Sequence, residues 1–127
     1  MCYLTDSEYA LGSRFLFLSM AIIVIQNDLA SFEKGNDIKI KEPYTALLTT
    51  MENRAIAERQ QLKKYMRKQR LHVTRLEKTE TFSSYLYVCN GREEQRNYFN
   101  PTIRTKVASI IYELMHQALP TIKSPYK

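Results

Sequence analysis

Apolar residues in the first third of the chain recur at intervals of four and three: Leu11, Phe15, Leu18, Ile22, Ile25, Leu29 and Phe32. This spacing predicts an amphipathic helix sustained over three heptads. Leu16, Phe17, Met20, Ile23 and Val24 place apolar side chains on its other faces, so its middle is expected to be buried on all sides. The helix should run from about Ser7 to Phe32, with Gly35 as its stop and Asn36–Asp37 in the following turn. The same run raises the question of a membrane. Phe15 to Asn27 is uncharged, but a spanning helix needs about 20 apolar residues, and Arg14 and Asp28 close the stretch early. Asp6 and Glu8 stand where an export signal would be basic, and no small-x-small cleavage site follows. The pattern is that of a central core helix.

The connector NDIKIKE leads to Pro43, a residue tolerated in the first turn of a helix. Tyr44, Leu48, Met51, Ala55, Leu62 and Met66 then mark a second helix from Pro43 to about Gln69, with Glu58 where the apolar stripe would continue. After Arg70 the period changes to two. Ser84, Leu86 and Val88 alternate with Tyr85, Tyr87 and Cys89, and Asn90–Gly91 follows as a type I′ hairpin signal. REEQRNYF is the return strand, polar enough to be an exposed edge. Two or three antiparallel strands are expected between residues 71 and 99. Asn100–Pro101 should cap a third helix, whose apolar face is Ile103, Val107, Ile110, Ile111, Leu114, Met115 and Ala118 and which Pro120 ends. The fold class is α+β: three helices forming the core, with a small antiparallel sheet inserted before the last. Residues 1–120 form the expected domain and 121–127 a loose tail.

Composition narrows the function classes. A chain of 127 residues can bury a core without metals or disulfides. Cys2 and Cys89 lack any paired framework and read as free thiols of a reducing cytosol. With only His72 and His116 beside them there is no metal-ligand spacing, and no cofactor motif occurs. The sharper signal is charge. Arg59, Lys63, Lys64, Arg67, Lys68, Arg70 and Arg75 lie in a span with no acidic residue, in a chain of net charge +6. On a helix Arg59, Lys63, Arg67 and Arg70 form a row, flanked by Lys64 and Lys68. Such a stripe can neutralise phosphates along a nucleic acid, or meet an acidic protein; a solvated helix end is the plain alternative. The hairpin after it invites comparison with a winged helix, but a recognition helix of about 27 residues with no short helix before it departs from that pattern.

The remaining candidates are weaker. Glu58 could be a buried acid, but at the rim of its helix it would pair with Arg54, four residues earlier. Glu93 and Glu94 are neighbours on a strand and so point to opposite faces. Tyr85, Tyr87, Tyr98 and Phe99 could stack on bases, or pack beneath a helix. Neither histidine has a visible nucleophile partner, and Cys89 carries no cue for a lowered pKa.

The stretches NGREEQRNYFNPTIRTKV and SEYALGSRFLFLSMAIIVIQNDL resemble a group of small uncharacterised proteins from Bacillus-type bacteria. The resemblance implies a bacterial cytosolic protein, admits a mobile-element origin and transfers no site residue. The expectation is a non-enzymatic cytoplasmic binding or regulatory protein without cofactor or metal. Its basic helix end would contact nucleic acid or an acidic partner, and the heptad face of its first helix offers a homodimer seam. The alternative is an adaptor or inhibitor that recognises a partner protein through the sheet edge REEQRNYF.

Overall fold

The computed structural model describes residues 3–126; Cys2 lies outside them. The element order is α1 (Asp6–Lys34), α2 (Glu42–Gln69), β1 (Leu71–Lys78), β2 (Phe82–Cys89), β3 (Arg92–Phe99), α3 (Asn100–Ala118) and a short 3-10 turn, Leu119–Thr121. The strands form one antiparallel sheet in the order β1-β2-β3. The fold is thus α+β, with three helices and a three-stranded sheet between the second and third.

Local chemistry accounts for where the elements begin and end. Thr5 and Glu8 form a reciprocal capping box at the start of α1: the Glu8 amide donates to Thr5 Oγ1 (3.2 Å) and the Thr5 amide to Glu8 Oε1 (2.8 Å). Gly35 stops α1, in an extended rather than a left-handed conformation, with its amide on Ser31 O at 2.9 Å. At Asn90 and Gly91 φ is +51° and +78°, as the tight β2–β3 turn requires. The expected cap of α3 is corrected. Phe99 is the N-cap residue, and Asn100 is already helical. The Asn100 side chain turns instead to the β1–β2 turn, where it donates to Thr79 O and Glu80 O (both 3.0 Å) and accepts from Ser83 Oγ (2.7 Å).

α1 and α2 form an antiparallel pair, closed at one end by Phe32 stacked on Tyr44 (5.7 Å) and at the other by Arg14 bound to Glu58. Leu18, Ile22 and Ile25 of α1 meet Met51 and Ala55 of α2 and Ile110 and Leu114 of α3 in one buried cluster. Each such Leu, Ile or Met side chain contributes about 1.5–3 kcal/mol by leaving water. The middle of the heptad face is therefore covered within the chain. Yet α1 is not buried all round: Ile23 is 58% and Val24 38% exposed. By length and composition alone α1 would suffice to cross a membrane. In this fold Leu18, Ile22 and Ile25 of its heptad face belong to the core.

The inner face of the sheet carries Tyr85, Tyr87, Cys89 and Tyr98, all buried, while Ser84, Leu86 and Val88 stand on the outer face. The hydroxyls of Tyr87 and Tyr98 find partners on this face. Tyr98 OH bonds both Tyr9 OH (2.5 Å) and Tyr87 OH (2.8 Å). Burial raises the pKa of Tyr87 to about 12 and pushes that of Tyr98 up as well. Gly12 of α1 lies against this cluster. A Cβ there would stand 3.0 Å from the Tyr87 ring and 3.1 Å from Val73 Cγ2, so α1 approaches the sheet too closely to admit a side chain without a shift of its neighbours.

Candidate functional site

The end of α2 owes its character to its two faces. Met51, Ala55 and Met66 are buried, with Leu62 half-buried beside them, and this apolar stripe fixes the rotation of the helix. Lys63, Lys64, Arg67 and Lys68 consequently emerge on the exposed side. Arg70 follows as the C-cap in the left-handed region (φ +53°, ψ +42°), its amide bonded to the carbonyls of Arg67 and Met66. These five cations are exposed, and among the described residues none of them forms an ion pair. Their position at a helix C-terminus suits the negative end of the macrodipole. Tyr65, 48% exposed, lies among them with the Lys68 ammonium 5.9 Å from its ring centre.

Two members of the predicted stripe stand elsewhere. Arg59 turns toward α1, where its Nε donates to Ser19 Oγ (2.8 Å) and its guanidinium lies 4.7 Å from the centre of the Phe15 ring. Arg75 stands on β1 and lines a cleft between the sheet, α1 and α3. The structure therefore brings together Lys63, Lys64, Arg67, Lys68 and Arg70 and separates Arg59 and Arg75 from them.

Glu58 and Glu94 are already engaged. Glu58 is half-buried and bound not to Arg54 but to Arg14 of α1, which reaches it through Nε (2.6 Å) and a terminal nitrogen (3.0 Å). The other terminal nitrogen of Arg14 donates to Glu113 of α3 at 2.9 Å, so one guanidinium clasps all three helices. Glu58 raises the Arg14 pKa further above its ordinary value. Glu94 is buried on the inner face against Arg96, whereas Glu93 is exposed on the outer face, so the pair is divided as expected. His72 and His116 are both exposed, and the cleft lined by Arg75 contains neither of them nor Glu58. No group of three or more potential metal ligands occurs among the described residues.

Cys89 and Glu8 form a cluster that was not anticipated. Glu8 completes the helix cap and accepts two hydrogen bonds from Arg92, at 2.8 and 2.5 Å. Arg92 above all, with the Thr5 amide, lowers the Glu8 pKa to about 2. The Cys89 thiol lies 3.4 Å from Glu8 Oε2 and 3.1 Å from Gln69 O, and burial raises its pKa. A protonated, buried thiol is a poor nucleophile. The signal for the cap was present in TDSE, residues 5–8; that for the Arg92 contact was not, because the partners lie 84 residues apart. The aromatic residues also divide. Tyr85, Tyr87 and Tyr98 are buried beneath the helices, while Phe99 pairs edge-on with Phe82 on the outer face (5.7 Å). They form no common stacking platform.

No solved structure matches the chain. The sequence is 35% identical over 108 residues to the uncharacterized protein YhjD of Bacillus subtilis (strain 168), a match covering 85% of this chain and 89% of that protein. The pattern defining the YhjD protein family matches residues 3–119. The chain therefore belongs to the YhjD protein family.

Proposed function

We propose that this is a non-enzymatic, cytoplasmic binding protein that contacts a polyanion, nucleic acid in the first instance, through Lys63, Lys64, Arg67, Lys68 and Arg70. The observation that carries this reading is the concentration of five exposed, unpaired cations on one helix end. Unpaired cations attract phosphates without first breaking an internal ion pair, and counterion release then drives association. Tyr65 adds a ring on which an unpaired base could stack. The test is fluorescence anisotropy with labelled duplex DNA, single-stranded DNA and RNA at about 50 and 200 mM salt. With five phosphate contacts on a duplex, affinity should fall about 500-fold over that fourfold rise in salt. The variant Lys64→Glu, Arg67→Glu, Lys68→Glu should lose binding and keep its circular-dichroism spectrum. Undiminished binding by that variant would show that the helix end is only a solvated face.

A second reading has its own support. β3 is an edge strand, paired without interruption to β2 from Arg92 to Phe99. A partner's strand could add to its free side, as an adaptor or inhibitor would require. Such binding would weaken only modestly with salt.

A further inference from the structure

The cleft under the sheet provides a second, chemically different site. It has a volume of about 640 Å³, within the range of small-molecule sites. Its apolar wall comes from Met20 and Val24 of α1 and from Ile103, Val107 and Ile111 of α3. The three α3 residues recur at intervals of four and share one side of that helix. Arg75, Lys78 and Arg104 supply the charge, and no carboxylate lines the cleft. None of these three cations is ion-paired among the described residues. The polar groups of Ser83 and Asn100, which also line it, are already engaged, with one another and, through the Asn100 amide nitrogen, with Thr79 O and Glu80 O.

The presence of both Arg75 and Lys78 has a structural cause. Residues three apart on a regular strand point to opposite faces. Here the register slips between Arg75 and Glu77, leaving Leu76 as the extra residue of a β-bulge. Arg75 is opposite Tyr85 and Lys78 is opposite Ser83, both inner-face positions. The bulge thus turns two cations onto one face, a common use of bulges beside sites. Arg104 meets them from α3.

We infer that this cleft binds an amphiphile with a phosphate monoester head and an apolar chain. The chain would lie along the α1–α3 wall and the head among Arg75, Lys78 and Arg104. Charge complementarity selects the head. A phosphate monoester carries about −1.5 to −2 charges at neutral pH, and guanidinium groups bind it through paired hydrogen bonds. A carboxylate would leave more of the positive charge uncompensated. This site is independent of the basic end of α2.

Isothermal titration calorimetry with decyl phosphate, kept below its micelle concentration, tests the inference. Decyl phosphate should bind about 100-fold more tightly than either inorganic phosphate or decanol, because each of those lacks half of the recognition. Decanoate should bind more weakly than decyl phosphate, and decyltrimethylammonium should not bind. The variant Arg75→Gln, Lys78→Gln, Arg104→Gln should lose about 100-fold in affinity for decyl phosphate. Ala108→Trp fills the same cleft from an exposed position without altering its charges, and should also abolish binding. The Lys64→Glu, Arg67→Glu, Lys68→Glu variant should bind decyl phosphate as wild type does, which separates this site from the polyanion surface. Absence of decyl phosphate binding would overturn the inference. So would equal affinity for decanol, which would make the cleft merely apolar, or for inorganic phosphate, which would make it an anion patch without a chain site.

Discussion

Gly12→Ala sets two effects of known sign against each other. In a helix interior alanine is favoured over glycine by about 1 kcal/mol, so an unobstructed position would be stabilised. Gly12 is not unobstructed. Its added Cβ would meet the Tyr87 ring at 3.0 and 3.1 Å and Val73 Cγ2 at 3.1 Å. The ring cannot easily retreat, because it is fully buried, lies 5.1 Å from the Tyr9 ring and is tethered through its hydroxyl to Tyr98. Overpacking of a core costs about 1–3 kcal/mol, and a pinned aromatic neighbour places this site in the upper part of that range. The net expectation is destabilisation by about 1–2 kcal/mol. For a chain of this length that lowers the melting temperature by roughly 3–8 °C. Urea denaturation and thermal circular dichroism measure it, with Ala10→Gly at an exposed position of the same helix as the propensity control. That control should lose about 1 kcal/mol with no steric contribution. A higher melting temperature for Gly12→Ala would refute the reasoning and show that α1 and the sheet have room to separate.

Three further outcomes follow from the same structure. The folded-state pKa of Glu8 is depressed, so its contribution is fully present above about pH 4.5 and is lost as pH falls toward about 2; Glu8→Gln should be less stable at neutral pH and should lose stability less steeply across that acid window in urea titrations. Arg14→Met removes the guanidinium shared by Glu58 and Glu113 and should cost about 1 kcal/mol, since the three groups are partly exposed. High salt should shrink that difference in a denaturation series. Cys89, buried and with a raised pKa, should resist iodoacetamide in the native protein and react in urea, as peptide mapping by mass spectrometry would show. Rapid native labelling would mean that the end of α1 opens readily.

The elements that local chemistry dictates were legible in the chain. The heptad run of α1, the stripe of α2, the Asn90–Gly91 turn and the amphipathic α3 each stand within a residue or two of where their patterns predict them. Partners distant in sequence were not legible. Arg54 was the natural mate of Glu58 by helical spacing, but Arg14 approaches from α1 and binds with two nitrogens. Arg59 belongs by period to the basic row, yet it lies close enough to the apolar stripe of α2 to be drawn onto Ser19 and Phe15. Asn100 carried a cap signature that a stronger set of partners in the β1–β2 turn captured. The bulge at Leu76 has no composition cue, and without it the meeting of Arg75 with Lys78 could not be read. That Lys63, Lys64, Arg67, Lys68 and Arg70 share the end of one helix follows from their spacing along α2. The cleft was not legible, because its wall comes from helices far apart in the chain.

The joint between α2 and β1 is a single residue, Arg70, held in the left-handed region. A non-glycine residue there carries a conformational cost of about 1–2 kcal/mol, and it leaves no slack between helix and strand. The direction of the first strand is consequently set by the direction in which the helix ends. A load applied at Lys64 or Arg67 would travel along the backbone to β1 with only one pair of dihedral angles to absorb it. A flexible linker at the same place would isolate the surface from the sheet; this chain instead connects them as handle and blade.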